Sequence, residues 1–192
     1  VESTFIFTDL VGFTALTAQR GDDHAADVAL AFYDVVRALL AAHAAEEVKP
    51  LGDGLMLRVD EPCHAIHLGV RIVDEVDASP LLPPVRVGMH HGAAVRRGGD
   101  WYGGTVNVAS RLCSAAAGGE VLVSEHTHAA AGKVRGVAFG ERRVHWLRNV
   151  AEPVAVLPAH SRRVNLPAAP AAVVARARAR LHCPLVTPEL ST

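Results

Sequence analysis

The segment Thr4-Phe5-Ile6-Phe7-Thr8-Asp9-Leu10-Val11-Gly12-Phe13-Thr14 runs a strand-like stretch straight into a carboxylate and a glycine turn. Thr4–Thr8 is β-branched and aromatic throughout, which predicts a buried strand. A helical pattern follows from about Asp23 to Glu46, with Val28, Phe32, Val35, Val36, Leu39 and Leu40 recurring at three and four. Val48–Leu51 and Leu55–Val59 then read as strands around Gly52-Asp53-Gly54, a hairpin signal. Glu61–Val76 is a second amphipathic helix, striped by Ile66, Val70 and Val73. Pro80, Pro83 and Pro84 break the chain before a strand at Val85–His90. This β-α-β-β-α-β order is ferredoxin-like.

Further along, Gly98-Gly99-Asp100 marks a turn, and Thr105–Ala117 reads as a helix closed by Gly118-Gly119. A strand at Val121–Val123, a helix over Ser124–Ala131 capped by Ser124, and short strands near Val134–Phe139, Arg143–Leu147 and Val154–Leu157 complete the pattern. The expected class is α+β: a ferredoxin-like βαββαβ core extended to a mixed sheet of about seven strands, with helices packed on it. Residues 1–158 form the expected domain. Residues 159–192 read as an Ala/Pro/Arg-rich C-terminal tail with a short helix at Ala171–Leu181, either solvated or touching another domain or an acidic partner.

The chain has 192 residues, of which 50% are hydrophobic and 20% charged, so it can bury one core and is not a disordered chain. Nineteen basic residues against 20 acidic ones leave no global field for a nucleic-acid polymer. Cys63, Cys113 and Cys183 are widely spaced, which suits a reducing, cytoplasmic setting rather than a disulfide framework. No apolar run is long enough to span a bilayer. The strand begins almost at the first residue without a signal peptide, so an upstream regulatory or membrane segment is expected in the full protein.

Asp9 and Asp53 each sit where a strand stops. Either each serves its own turn, or adjacent strands bring the two carboxylates to one locus, where cations must separate them. Gly12-Phe13-Thr14 precedes a helix, and backbone N–H groups at a helix start favour phosphate. Asn107 and Arg111 lie four apart on one helix face: Arg offers a planar fork for phosphate, and Asn can orient a ribose, but a plain polar face has the same spacing. Only Lys49 and Lys133 are lysines in an arginine-rich chain. The eleven histidines, including His64 and His67 beside Cys63 and the His90-His91 pair, show no zinc spacing and read as surface or packing residues.

Taken together, Phe7–Thr14 (FTDLVGFT), Lys49–Gly54 (KPLGDG) and Asp100–Arg111 (DWYGGTVNVASR) resemble, in this order, the catalytic domain of class III nucleotide cyclases, the adenylate and guanylate cyclase family, in a bacterial form. The resemblance runs from about residue 3 to residue 158, and Leu147–Val154 looks like the family's final hairpin. It implies that Asp9, Asp53 and the Leu10 carbonyl hold two Mg²⁺ or Mn²⁺ ions. Gly12, Phe13 and Thr14 then cradle phosphate, Lys49 and Asp100 select the base, and Asn107 and Arg111 act on the transition state. It also implies a homodimer with its site at the subunit interface.

The implied reaction converts ATP to 3′,5′-cyclic AMP and pyrophosphate by attack of the ribose 3′-OH on the α-phosphorus. Lys49 as donor and Asp100 as acceptor match adenine N1 and its 6-amino group, whereas guanine opposes both, at about 1–3 kcal/mol per mismatch. Two departures stand out. The stretch Gly92–Asp100 is short, and Ala93, Ala94 and Val150 occupy places where the family often has basic residues, which leaves Arg148 as the substitute for the terminal phosphates. The alternatives are a guanylate cyclase, a catalytically silent nucleotide-binding or regulatory domain, or a diguanylate-cyclase or polymerase-palm relative, although no GGDEF-like hairpin occurs.

Overall fold

The structure is a computed structural model that describes residues 1–162; the expected tail helix at 171–181 lies outside them. Strand β1 (Glu2–Leu10) is central, antiparallel to both β3 (Leu55–Val59) and β4 (Val85–Ala93). Strand β2 (Ala45–Pro50) pairs with β3, giving the order β2-β3-β1-β4 of a ferredoxin-like core. Beyond β4 the sheet continues through β7 (Val121–Ser124), which is parallel to β4, and then β10 (Val154–Ser161). Strands β8 (Val137–Phe139) and β9 (Arg143–His145) both pair with β10. Among the described residues the main sheet therefore has eight strands, mixed as expected. Strand β10 runs through Pro158 to Ser161, so the folded unit continues past the expected boundary at 158.

Side-chain alternation along β1 explains the layers. Ile6 and Leu10 enter the larger core with Val28, Phe32 and Val36 of α2 (Asp22–Leu40) and Ile66, Val70 and Val73 of α3 (Pro62–Asp77). Phe5 points the other way, into a second cluster with Met56, Trp101 and Ala109. Ala109 belongs to α4 (Gly104–Ala115), which makes the crossover from β4 to β7. Helix α4 lies directly on β4, because a Cβ at Gly88 would stand 1.9 Å from the amide nitrogen of Cys113. Only glycine permits that approach.

Three elements differ from expectation. The helix expected after Gly12-Phe13-Thr14, α1 (Phe13–Arg20), already includes Phe13 and Thr14 and is separate from α2. Helix α2 stops at Leu40 rather than Glu46, and a 3₁₀ turn at Ala41–His43 ends on Ala44 in the left-handed region (φ 49°). Pairing with β3 then claims residues 45 onward for β2. The Gly98-Gly99 turn is flanked by a small ribbon of its own, β5 (Val95–Arg97) and β6 (Asp100–Tyr102), outside the main sheet. The short helix α5 (Glu125–Ala131) is capped as expected, with Ser124 Oγ accepting from the Thr127 amide at 3.1 Å.

Candidate active site

Asp9 is the next-to-last residue of β1 and Asp53 sits at the tip of the β2–β3 hairpin, and the fold brings them together. Leu10 N–H donates to the Asp53 carbonyl at 3.3 Å. The Thr8 hydroxyl accepts from the Leu55 amide at 2.9 Å, and the Tyr33 hydroxyl donates to the Gly52 carbonyl. Gly54 permits the nesting: a Cβ there would lie 1.9 Å from the Thr8 carbonyl oxygen. Burial pushes the Asp53 carboxyl above its ordinary range, and the charge of Asp9 pushes it further.

Arg86 stands directly across the ladder from Asp9. Its Nε donates to Asp9 Oδ2 at 2.7 Å, and its NH1 reaches the Ser114 carbonyl at 3.2 Å. It lies outside the three sequence motifs. Strand pairing alone reveals it, although a cation two residues before a buried glycine on a core strand is a usable signal. Thr8, Asp9 and Arg86 line a cleft of about 130 Å³ whose other wall is Ser110, Cys113 and Ser114 of α4. The Cys113 thiol is pushed up to about 12, chiefly by burial, so it stays protonated and is no nucleophile at neutral pH.

Gly12 takes φ 82° at the N-cap of α1, and no side chain caps that helix start. The first-turn amides at Phe13 and Thr14 are thus left for an anion. The donor set suits divalent ions: two carboxylates and a main-chain carbonyl beside an anion-seeking helix start. Two adjacent carboxylates, one of them already resisting ionisation, call for more positive charge than Arg86 supplies.

Lys49 and Asp100 also meet. Lys49 Nζ donates to Asp100 Oδ2, while Asp100 Oδ1 accepts from the Trp101 amide at 2.8 Å. These bonds hold the Asp100 carboxyl below its usual value, with Lys49 the larger cause. Among the described residues no hydrogen bond or ion pair links this pair to Asp9 or Asp53. Asn107 and Arg111 lie exposed on α4, and Arg148 is exposed in the turn between β9 and β10. Four separate groups result: the aspartates with Arg86, the Lys49–Asp100 pair, the α4 pair, and Arg148. The His90 and His91 rings have different partners, Ser124 Oγ at 2.7 Å and Thr4 Oγ1 at 3.0 Å, although both approach His126. Among the described residues no helix is long and apolar enough to cross a membrane.

The chain is 37% identical over 117 residues to an adenylate cyclase of Streptomyces griseus, covering 61% of this chain and 29% of that protein. It is 36% identical over 129 residues to a pH-sensitive adenylate cyclase of Mycobacterium tuberculosis, covering 67% of this chain and 32% of that protein. The chain thus spans roughly a third of these curated relatives. Its fold is similar to the adenylyl cyclase CyaB of P. aeruginosa, with TM-score 0.74 and 20% identity over 86% of this chain and 97% of that one. It is also similar to an adenylate cyclase structure from Trypanosoma brucei, with TM-score 0.71 and 24% identity over 88% and 92% of the two chains. The family model described as the adenylate and guanylate cyclase catalytic domain matches residues 2–145, most of the chain, and this protein belongs to that family.

Proposed function

We propose that this domain is an adenylate cyclase that converts ATP to 3′,5′-cyclic AMP and pyrophosphate. The observation that carries the reading is the Lys49–Asp100 pair: an obligate donor and a fixed acceptor side by side, the complement of the adenine edge. The curated relatives are named adenylate cyclases, which agrees with it.

In the reaction the ribose 3′-oxygen forms a bond to the α-phosphorus, the bond from that phosphorus to the β-phosphate oxygen breaks, and the 3′-hydroxyl proton is lost. Asp9, Asp53 and the Leu10 carbonyl would hold two divalent ions, which lower the pKa of the 3′-hydroxyl and offset triphosphate charge. Amides of Gly12, Phe13 and Thr14 receive phosphate oxygens. Arg86, seated against Asp9 in the same cleft, would supply a fixed cation for phosphate oxygens, beside Arg148 for the terminal phosphates. Asn107 would orient the ribose for in-line attack, and Arg111 would stabilise charge developing at the α-phosphate.

Asn107 and Arg111 are exposed on α4 with no hydrogen bond or ion pair to Asp9 among the described residues, and Val95 and Tyr102 are exposed apolar groups on the nearby ribbon. Both features support a homodimer in which one copy supplies the aspartates and its partner the base-selecting and α4 residues. The test is a product assay of the purified domain with Mg²⁺ or Mn²⁺ and either ATP or GTP. Cyclic AMP should form in preference to cyclic GMP. No cyclic product from either nucleotide, with dimer formation verified, would leave a silent domain instead.

A further inference from the structure

Lys49 and Asp100 meet although their strands do not pair: β2 is the edge of the main sheet, and β6 belongs to the separate β5–β6 ribbon. Something besides backbone pairing must therefore set their distance. Trp101, next to Asp100, is 6% exposed and packs in the cluster of Phe5, Met56 and Ala109. Its ring centroid lies 5.5 Å from that of Phe5. The Arg58 guanidinium lies 4.8 Å from the ring centroid and that of Arg96 5.9 Å away, both within cation–π reach.

Arg58 is itself held: it donates to Ser3 Oγ at 3.0 Å, to Glu46 at 3.2 Å and to Asp60. Arg96 also approaches Glu46, at 3.8 Å. Glu46 lies on β2, the strand that carries Lys49. A continuous side-chain bridge thus runs from β2 through Glu46 and Arg58 to Trp101, and from Trp101 by its own amide to the Asp100 carboxylate.

We propose that Trp101 is a positioning residue for base selection: its docking between Phe5 and the two arginines fixes Asp100 against Lys49. The proposal rests on the reading of Lys49 and Asp100 as base contacts. A held acceptor serves two ends, rewarding the adenine amino group and repelling guanine O6. A loose Asp100 does neither. Undocking should therefore lower ATP turnover while leaving GTP turnover unchanged or raising it, whereas a general loss of folded protein lowers both alike. The indole Nε1 is buried without a hydrogen-bond partner among the described residues, so the ring and not its N–H carries the role. Phenylalanine should suffice.

The experiment measures kcat/KM for ATP and for GTP in Trp101→Ala, Trp101→Phe and Arg58→Gln, with Lys49→Glu as the control on the base reading. Trp101→Ala should cut the ATP/GTP ratio about tenfold, the scale of one hydrogen bond to a charged group, and Arg58→Gln should cut it less. Trp101→Phe should keep most of the ratio. If Lys49→Glu shifts the ratio but Trp101→Ala lowers both nucleotides equally, the positioning role is wrong and the base reading stands. If Lys49→Glu leaves the ratio unchanged, the base reading falls and this proposal with it. Should Trp101→Ala fail to fold, Arg58→Gln decides, and an unchanged ratio there overturns the proposal.

Discussion

Arg86 and Asp9 are direct cross-strand partners joined by a 2.7 Å hydrogen bond from Nε to Oδ2, so the strand register places a permanent cation at the acidic end of β1. The arginine offsets one carboxylate where two converge. Replacing it with alanine should leave the fold intact but cut ATP turnover by about two orders of magnitude, in the range for losing a preorganised charge contact to a reacting phosphate. Steady-state kinetics at saturating Mn²⁺, alongside a thermal melt, checks both halves.

The second prediction concerns the stability lost by burying the Asp53 carboxylate and, secondly, by holding it beside Asp9. The folded Asp53 carboxyl titrates above its ordinary value, so the native state binds more protons than the unfolded chain in the window just above the normal carboxylate range. Stability from this group therefore falls as pH rises through that window. Asp53→Asn should abolish turnover yet raise the melting temperature in EDTA at neutral pH, and the gain should vanish on acidification. A variant no more stable than the parent at neutral pH would show that ionised Asp53 is not destabilised by its burial and by Asp9.

His90 gives the opposite slope. Burial first, then the neighbouring His126 and His91, lower its pKa from 6.5 to about 4. The unfolded chain binds more protons between those values, so stability is present above pH 6.5 and is lost as pH falls toward 4. His90→Gln should flatten the acid limb of a stability–pH curve by up to about 3 kcal/mol while leaving Ser124 a partner. His91, lowered in the same direction, keeps some slope in place.

Gly54→Ala addresses how the hairpin tip is seated. The added methyl would stand 1.9 Å from a carbonyl oxygen of β1, and backbone cannot swing aside. A loss of about 3 kcal/mol in urea titrations is expected, typical of a forced overpacking, together with loss of turnover as Asp53 moves off Asp9.

Mixing tests whether two chains share a site. Asp9→Ala and Arg111→Ala should each be nearly inactive alone. Mixed dimers hold one doubly damaged and one intact site, so random mixing restores about a quarter of the parent activity. No recovery, with subunit exchange shown by labelled protomers, would place both residues in one chain's site.

Much of this was legible in the sequence because the acidic positions coincide with local signals. Asp9 follows a β-branched run and Asp53 is bracketed by glycines, so the first strand and the hairpin were readable, although β1 runs on to Leu10 and β2 starts earlier, at Ala45. The end of α2 was not. Leu40 through Ala44 are, apart from His43, good helix formers with no glycine or proline, and the reversal at Ala44 is imposed by β2 pairing with β3. The ribbon around Gly98-Gly99 was read as a turn alone, since strands of three residues carry almost no periodic signal. Arg86 was passed over because its meaning lies in a partner 77 positions away, which only the register exposes.

The contact of Gly88 with Cys113 leaves no compliant layer between β4 and α4. Side chains usually absorb small displacements where a helix rests on a sheet, but here main chain bears on main chain. The strand that carries Arg86 and the helix that carries Asn107 and Arg111 consequently behave as one stiff lever. Bending inside a single domain is a poor way to retune their spacing. Any change in the placement of Asn107 and Arg111 would have to carry β4 along with α4, both moving as one body.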